Sequence, residues 1–161
     1  MQEKLHTKTA LYAYRFGYIR IDYRDDIVTC LQSVHSSSIT GENTAFSDRV
    51  FQEIGEYLAG KRKLFDFFYE SSGTEFQKKV WNALCDIPYG ETRTYKDIAV
   101  AIGNPKACRA VGSANNKNSL HIVVPCHRVV GSGGNLVGYA CGLEMKKALL
   151  SLEKTYKNQL G

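Results

Sequence analysis

The sequence contains no long hydrophobic stretch and very little proline. No apolar run approaches the roughly 18 residues that a membrane-spanning helix needs, and residues 1–8 lack the apolar segment of a secretion signal. With 3 Pro, 14 Gly and 23% charged residues among 161, the composition excludes collagen-like and disordered chains. The hydrophobic share of 43% is sufficient for a core. We therefore expect a soluble, cytoplasmic globular protein that does not contact a membrane.

The cysteines include no C-x-x-C pair, and their number, 5, is odd. A secreted disulfide framework favours even numbers, and a structural zinc site favours paired spacing. Neither pattern is present, so we expect reduced thiols, no bound metal and no cofactor. Most of these thiols are expected to be small core residues. They are Cys30, Cys85, Cys108, Cys126 and Cys141.

Positive charge is concentrated in the second half of the chain. Residues 1–70 contain nine Lys and Arg against ten Asp and Glu, whereas residues 71–161 contain twelve against six. The whole basic excess of +5 therefore lies after residue 70. Such a distribution is typical of proteins that bind a polyanion, although a basic face that contacts only solvent gives the same count.

The first third of the chain has the pattern of a β-sheet followed by a helix. Between residues 9 and 38, aromatic and β-branched side chains alternate with polar ones, and Asp25-Asp26 marks a turn. Apolar residues then recur at helical spacing. This spacing predicts a helix that begins at Ser47 and ends at Gly60.

A domain boundary is predicted after this helix. Residues 61–73 combine a basic triplet, an aromatic cluster and a Ser-Ser-Gly sequence, which indicates an extended segment that ends in a linker. We therefore expect an N-terminal α/β domain over residues 1–70 and a second domain over residues 71–161 that begins with helices. The predicted fold class is α+β.

Two capping boxes and a Gly-Asn-Pro sequence organise the start of the second domain. Residues 74–77 and 94–97 each place a threonine three residues before a polar side chain, which satisfies free backbone donors at a helix start. Gly103 is a predicted left-handed helix terminator. Asn104, as an N-cap before a proline, predicts a third helix over residues 105–115. Two short helices joined by a tight turn that contains glycine indicate a helix-turn-helix.

The predicted third helix is rich in small residues and carries one long basic side chain in its middle, Arg109. A helix that reads the major groove usually presents several long polar side chains. Small residues instead allow the helix backbone to approach DNA closely, as the narrower minor groove requires. The alternative is that these residues only pack against a neighbouring helix and that Arg109 is solvated. The small residues are Ala107, Ala110, Gly112, Ser113 and Ala114.

The end of the chain is predicted to contain short strands and one more helix. Residues 121–124 are expected to form a strand that continues through 125–128, and residues 136–139 a return strand. The last helix is predicted to begin near Leu143. On it we expect leucines to point inward and lysines outward: Leu149 and Leu152, and Lys146, Lys147 and Lys154.

Cys126 is the candidate nucleophile. A free thiol is only a few per cent ionised near neutral pH, so a base has to accept its proton. Side chains of neighbouring residues on a strand point to opposite faces. His127 can therefore accept the proton of Cys126 only through a water, or directly if the backbone is not extended here. Pro125 favours such a departure from an extended backbone. Glu153 on the last helix is a candidate to orient the imidazole, as in a catalytic triad.

Four segments of the second half carry a family signature. They are residues 122–130 (IVVPCHRVV), 88–95 (PYGETRTY), 103–112 (GNPKACRAVG) and the pair Gly138-Tyr139. In sequence, order and spacing they resemble the O6-alkylguanine-DNA alkyltransferases, also called methylated-DNA–protein-cysteine methyltransferases. The resemblance covers about residues 72–155, and residues 1–70 match the family only loosely.

The resemblance implies a complete set of catalytic roles. Cys126 would accept the alkyl group from guanine O6 irreversibly, so that each molecule reacts once. His127 would be the base through a water, and Glu153 would hold it. Tyr95 would donate a hydrogen bond or a proton to the departing guanine. Asn118 would be a hinge that ties the turn after the recognition helix to the active-site segment.

The resemblance also implies how DNA is bound. The protein would dock in the minor groove of double-stranded DNA, and Arg109 would fill the gap left by the flipped nucleotide. Further side chains would contact the DNA strand or line the guanine pocket. The DNA contacts are Lys96, Asn104 and Ser132, and the pocket residues are Val129, Tyr139 and Ala140.

The implied architecture is a ribonuclease H-like α/β domain over residues 1–70 and a winged helix-turn-helix-like domain over residues 71–161. The second domain would carry both the DNA-binding surface and the active site. O4-alkylthymine is a second expected substrate, and we expect a monomer. Cys141 lies beside the implied pocket, and the sequence leaves open whether it reacts or only narrows the site.

Three other functions are compatible with parts of the pattern. A binding-only relative would recognise alkylguanine without chemistry, but it would lack the acceptor that Cys126 supplies. A helix-turn-helix regulator would carry more long polar side chains on its third helix. A Cys-His hydrolase would turn over and would not need a basic helix-turn-helix beside its nucleophile.

Overall fold

The computed structural model describes residues 6–35, 41–137 and 142–159. The chain divides into two compact units, Met1–Ser71 and Ser72–Gly161, and has a mixed α+β architecture. In the first unit the elements are β1 (Lys8–Tyr14), β2 (Gly17–Arg24), β3 (Ile27–Val34), α1 (Ala45–Leu58) and β4 (Phe68–Tyr69). In the second unit they are α2 (Glu75–Cys85), β5 (Arg93–Thr94), α3 (Tyr95–Ala101), α4 (Cys108–Asn116), β6 (Val129–Val130) and α5 (Leu143–Tyr156), with short 3-10 helices at Cys126–Arg128 and Ser132–Gly134.

The first unit is built on a four-stranded sheet in the order β1-β2-β3-β4. The first three strands are antiparallel, and β4 pairs with β3 in parallel. Asp25 and Asp26 form the two-residue turn between β2 and β3 with φ of 44° and 55°, the left-handed values that such hairpins require. The predicted turn is therefore confirmed.

Helix α1 begins two residues earlier than predicted. Thr44 is the N-cap, because its hydroxyl accepts from the Ser47 amide at 3.4 Å while the Ser47 hydroxyl accepts from the Thr44 amide at 2.8 Å. Ser47 is thus the third helical residue of a capping box rather than the first residue of the helix. The predicted end near Gly60 is confirmed, since Gly60 has φ of 75° just beyond the helix.

The predicted capping boxes of the second unit are both confirmed. Thr74 caps α2 and Thr94 caps α3, each with reciprocal hydrogen bonds to the third residue of its helix. Gly103 follows α3 in the left-handed conformation, with φ of 79°. The starts and ends of these helices are therefore determined by local hydrogen bonds that the sequence already encodes.

The predicted start of the third helix is wrong by three residues. The Ala107 amide donates to the Asn104 carbonyl at 3.0 Å and closes a turn that has Pro105 at its second position, where the fixed φ of proline fits. Helix α4 begins only at Cys108, with Ala107 as an N-cap that makes no side-chain capping bond. The Asn-Pro pair therefore forms a turn instead of a helix start.

The predicted strand over residues 121–124 is also wrong, as is its continuation through 125–128. The first segment is a series of turns, and the second is a 3-10 helix at Cys126–Arg128. Residues 136 and 137 are not in a strand either, and residues 138–139 of the predicted return strand lie outside the described residues.

Helix α5 begins at Leu143, as predicted. Leu149 is buried and Leu152 is half-buried, but Lys146 is fully buried, which contradicts the outward orientation expected for it. Lys147 and Lys154 are exposed as expected. Among the residues that the structure describes, no helix is both long and apolar enough to cross a membrane.

Candidate active site

Two tight turns shape the backbone just before Cys126. The Val123 amide donates to the His121 carbonyl at 2.8 Å, and the Cys126 amide donates to the Val124 carbonyl at 2.8 Å. Each bond skips one residue, so each closes a three-residue γ-turn. The first turn is centred on Ile122, whose φ of 73° is rare and strained for a β-branched residue.

The side chain of Asn118 holds this strained segment together. Its Oδ1 accepts from the Leu120 amide at 3.0 Å, and its Nδ2 donates to the Val124 carbonyl at 2.9 Å. Asn118 itself is buried. The strain at Ile122 persists because these hydrogen bonds leave the backbone no relaxed alternative, and Cys126 enters its 3-10 helix in one defined orientation.

A buried charge cluster lies beside Cys126. His127 Nε2 is 2.8 Å from Glu153 Oε2, and both side chains are almost fully buried. Arg128 binds the same carboxylate with Nε 2.8 Å from Oε1 and Nη2 2.9 Å from Oε2. The Gly90 amide donates to Oε1 at 3.2 Å. Glu153 therefore links the last helix to the 3-10 helix and to the loop before β5.

These hydrogen bonds determine the charge of each group. Burial raises the pKa of Glu153, but the hydrogen bonds from His127 and Arg128 outweigh burial and hold that pKa well below its ordinary value. Burial also lowers the pKa of His127, and this effect exceeds the stabilisation of an imidazolium by Glu153. The cluster is thus a carboxylate paired with the Arg128 guanidinium beside a neutral imidazole.

The hydrogen bond to Glu153 also selects the tautomer of His127. An ionised carboxylate only accepts hydrogen bonds, so Nε2 of His127 carries the proton and donates it. Nδ1 then carries the lone pair on the side of the ring that does not face Glu153. In this tautomer His127 can accept a proton at Nδ1, which is the requirement for a general base.

Cys126 is buried, with 1% of its surface exposed, and a buried ammonium lies nearby. Lys146 donates from Nζ to the Val137 carbonyl at 2.9 Å. Burial lowers the pKa of Lys146, and Coulombic attraction to the Cys126 thiolate partly offsets that effect. Burial alone disfavours a thiolate, so a cation that interacts with the sulfur supplies the compensation.

The Val137 carbonyl, which accepts from Lys146, also accepts a hydrogen bond from Tyr95. The Tyr95 hydroxyl donates to Val137 O at 3.1 Å. The pKa of Tyr95 is raised, first by burial and then by the Coulombic interaction with Cys126. Tyr95 therefore keeps its proton near neutral pH, and its interaction with Cys126 places the two groups in one site.

Comparisons with known proteins identify the family. A sequence model described as 6-O-methylguanine DNA methyltransferase, DNA binding domain, matches residues 75–155. The chain is 56% identical over 113 residues to a methylated-DNA–protein-cysteine methyltransferase of Methanosarcina barkeri, an alignment that covers 70% of this chain and 72% of the relative. The chain belongs to this methyltransferase family.

Other members of the methyltransferase family match nearly the whole chain. A relative from Mycolicibacterium paratuberculosis is 46% identical over 145 residues, with 87% of this chain and 88% of the relative covered. A crystal structure of Mycobacterium tuberculosis O6-methylguanine methyltransferase has a TM-score of 0.85 at 39% identity and 94% coverage of both chains. A crystal structure of Mycobacterium tuberculosis OGT in complex with DNA has a TM-score of 0.85 at 41% identity, with 92% and 93% covered. The family resemblance is confirmed, and with it the α+β fold.

The residues that the methyltransferase resemblance assigns to DNA all lie on the surface of the second unit. Arg109 is exposed near the start of α4, and its exposed neighbours on that helix include Ala110 and Ser113. The exposed face of α4 thus combines one long cation with small side chains. The other assigned residues, Lys96, Asn104 and Ser132, are also exposed.

The guanine pocket of the methyltransferase signature is described only in part. Val129 is fully buried in β6, which pairs in parallel with β5. Tyr139, Ala140 and Cys141 lie outside the described residues, so their assigned roles stay predictions. Within residues 6–35, 41–137 and 142–159, no group of three or more His, Cys, Asp or Glu is placed to hold a metal ion.

Two residues of this methyltransferase site were missed by sequence reasoning. Arg128 lies in the signature segment 122–130, but neither its residue type nor its position there indicates a role. The charge of Lys146 predicts the outer face of α5, although helical spacing places it on the face of Leu149 and Glu153, three and seven residues further on. Positive charge outweighed periodicity in that prediction, and periodicity was the correct signal.

Proposed function

We propose that Cys126 is the acceptor cysteine of this member of the methylated-DNA–protein-cysteine methyltransferase family and takes an alkyl group from the O6 atom of a damaged guanine. The protein repairs DNA by direct reversal, through transfer of the alkyl group to one of its own cysteines. The choice of Cys126 is based on the next residue, His127, which is buried with its Nε2 2.8 Å from Glu153 Oε2. A carboxylate-held imidazole beside a thiol is the arrangement that activates a cysteine nucleophile.

The reaction is an in-line displacement at the alkyl carbon. The thiol proton of Cys126 passes through a water to Nδ1 of His127, and a sulfur lone pair forms the new S–C bond. The C–O6 bond breaks, and its electron pair goes to the guanine. The product thioether has no water-labile bond and no route back to the thiol, so each molecule reacts once and the transfer is irreversible.

Tyr95 assists the leaving group. Negative charge develops on the departing guanine, and a positioned hydroxyl that donates a hydrogen bond or a proton stabilises it. The Tyr95 hydroxyl donates to the Val137 carbonyl at 3.1 Å, so it exchanges this acceptor for the guanine when the substrate is bound. The raised pKa of Tyr95 supports a role as donor, because the hydroxyl is protonated near neutral pH.

The DNA-binding surface lies on the domain of residues 71–161, where helices α3 and α4 form the helix-turn-helix of a winged helix-turn-helix-like fold. Helix α4 enters the minor groove with its small-residue face, and Arg109 fills the space of the flipped nucleotide. Lys96, Asn104 and Ser132 contact the DNA strand, and the basic excess after residue 70 supplies affinity that offsets the cost of base flipping.

The remaining assignments complete the proposal. Residues 1–70 form a ribonuclease H-like α/β domain, and the protein acts as a monomer. Val129 lines the guanine pocket, together with Tyr139 and Ala140. O4-alkylthymine is a second substrate, because it also carries an alkyl group on an exocyclic oxygen of the base. The cytoplasmic location expected from the sequence stays a prediction.

A transfer assay tests the proposed acceptor. The protein is incubated with duplex DNA that carries labelled O6-methylguanine, and label on the protein is counted. We expect one equivalent per molecule, and we expect Cys126→Ser to abolish transfer while DNA affinity is retained. Cys85→Ser is the matched control, because Cys85 is an exposed thiol at the end of α2, and it should transfer normally.

The same assay separates the alternatives. Binding without any transfer would indicate a binding-only relative, and sequence-dependent affinity for undamaged DNA would indicate a regulator. Repeated turnover would indicate a hydrolase. Either turnover or undiminished transfer by Cys126→Ser would overturn the proposal.

A further inference from the structure

Asn115 links the DNA-facing helix to the acceptor residue. It lies on the buried face of α4 with 2% of its surface exposed. Its Nδ2 donates to the carbonyl oxygen of Cys126 at 3.4 Å. The side-chain amide of Asn115 is therefore adjacent to the backbone of the reactive cysteine, on the side of the site formed by α4.

The other half of this amide is unsatisfied. Within the described part of the chain, Oδ1 of Asn115 is a buried acceptor without a hydrogen-bond partner. A buried polar atom in this condition costs about 1–3 kcal/mol, and a leucine of similar volume would avoid the cost. An asparagine at this position is therefore expected to serve a donor that the described residues do not supply.

A proton relay from Cys126 to His127 requires such an acceptor. A water has two hydrogens and two lone-pair sites. In the relay the water accepts the thiol proton and donates one of its own to Nδ1 of His127. Its second hydrogen still needs an acceptor in a site from which bulk water is excluded. Oδ1 of Asn115, next to the Cys126 backbone, is an acceptor of the required kind.

We propose that Asn115 is a positioning residue that holds the relay water through Oδ1. The inference rests on the proposed function, because it assumes transfer to Cys126 with His127 as base. Asn115 carries no charge and takes up no proton. It orients the water so that the S–H bond of Cys126 breaks as the O–H bond forms, while the water transfers its other proton to Nδ1.

Several titratable groups surround Cys126 and His127, and the test has to separate Asn115 from them. None of them lies on α4, so a substitution of Asn115 leaves each of them in place. They are Tyr95 on α3, His121 in the preceding turn, Arg128 in the 3-10 helix, and Lys146 and Glu153 on α5.

The test measures the pH dependence of single-turnover transfer by Asn115→Leu at saturating DNA. We expect transfer to be about tenfold slower near pH 7, the equivalent of one lost hydrogen bond. At high pH the thiol is already ionised before transfer, so no proton has to pass through the relay. There the rate of the variant should approach that of the wild type, with unchanged affinity for DNA.

Asn116→Leu is the matched control, because Asn116 is the exposed neighbour on the same helix, and its pH profile should match the wild type. If Asn115→Leu does not fold, Asn115→Ser, which keeps a side-chain oxygen, is measured in the same way and should retain the wild-type profile. A loss that is equal at all pH values, or a Leu variant with the wild-type profile, would overturn the inference. A wild-type protein that transfers no label would instead overturn the proposed function itself.

Discussion

Arg128 binds both carboxylate oxygens of Glu153, with Nε 2.8 Å from Oε1 and Nη2 2.9 Å from Oε2. This parallel pair neutralises Glu153 without requiring a proton on His127. His127 can therefore remain neutral while it donates to the same carboxylate, and its Nδ1 is available as a base. Burial is the main reason that the pKa of His127 is lowered, and the Coulombic effect of Arg128 adds to it.

The first prediction concerns this buried pair. Arg128→Met leaves the Glu153 carboxylate buried without its guanidinium, and we expect the free energy of unfolding to fall by roughly 3–5 kcal/mol. Urea unfolding followed by the fluorescence of Trp81, the single tryptophan, reports on the second unit. Arg93→Met is the control, because its ion pair with Glu91 is exposed and should be worth less than about 1 kcal/mol. Similar losses of unfolding free energy in both variants would show that the buried Arg128–Glu153 pair contributes no more than an exposed ion pair.

The second prediction concerns acid stability. Burial lowers the pKa of His121 to about 4, whereas an unfolded histidine has a pKa of about 6.5. The unfolded state therefore binds the proton more tightly, so the stability that neutral His121 contributes is complete above about pH 6.5 and is lost as the pH falls toward 4. The difference corresponds to roughly 3 kcal/mol.

The variant His121→Gln should therefore lose less stability than the wild type between about pH 7 and pH 4. Urea unfolding at several pH values, again read from Trp81, measures this difference. His6→Gln is the control, because it makes the same substitution at an exposed histidine. Equal pH dependence in His121→Gln and the wild type would show that His121 does not contribute.

The third prediction concerns the buried ammonium. Lys146→Met removes the cation that interacts with Cys126, so the thiolate becomes less stable. We expect transfer near pH 7 to slow about tenfold or more, and the rate to rise at higher pH than in the wild type. Folding stability should not fall, because a buried ammonium carries a desolvation cost that methionine avoids. Lys147→Met, one residue away and exposed, should behave as the wild type. An unshifted pH profile for Lys146→Met would contradict this role.

The fourth prediction separates rate from affinity at Tyr95. Tyr95→Phe removes the hydroxyl that donates to the leaving guanine, so the single-turnover rate at saturating DNA should fall by about 100-fold. The DNA dissociation constant should change far less, because the aromatic ring remains. Both quantities are measured on the same duplex, the second in a Cys126→Ser background. A loss confined to affinity would exclude an acid role for Tyr95.

The fifth prediction concerns Arg109. Only a duplex requires the damaged base to be extruded, which costs a few kcal/mol. Arg109→Ala should therefore slow repair of O6-methylguanine in a duplex more than repair in a single strand of the same sequence. The single strand is the internal control for general loss of DNA affinity. Equal losses on both substrates would indicate that Arg109 contributes only electrostatic attraction.

Local signals predicted much of the fold. The alternation of β2, the Asp25-Asp26 turn and both capping boxes depend on neighbouring residues, and the structure agrees with each of them. The sequence also suggested Cys126, His127 and Glu153 as one group, and the last two are in contact although they are 26 positions apart. The roles of these residues in transfer stay predictions that the assays above test.

The failures occur where long-range contacts override local preference. The run from Ile122 to Val124 is β-branched and apolar, yet hydrogen bonds of Asn118 hold it in turns, with strain at Ile122. Lys146 carries a charge that normally seeks water, yet the Val137 carbonyl and the Cys126 sulfur hold it in the interior. In both places, the energy of local strain or of desolvation is offset by partners that only folding brings near.

The sequence by itself determined the family of this protein, its α+β class and the identity of its candidate nucleophile, because these depend on motifs and on patterns within a few residues. Only the tertiary structure decided the electrostatic state of the site. The groups concerned come from three segments: Arg128 from the 3-10 helix, Lys146 and Glu153 from α5, and Asn115 from α4, whose Oδ1 has no partner among the described residues. Charges and buried polar atoms interact through space, and their balance is set by burial that sequence spacing does not reveal.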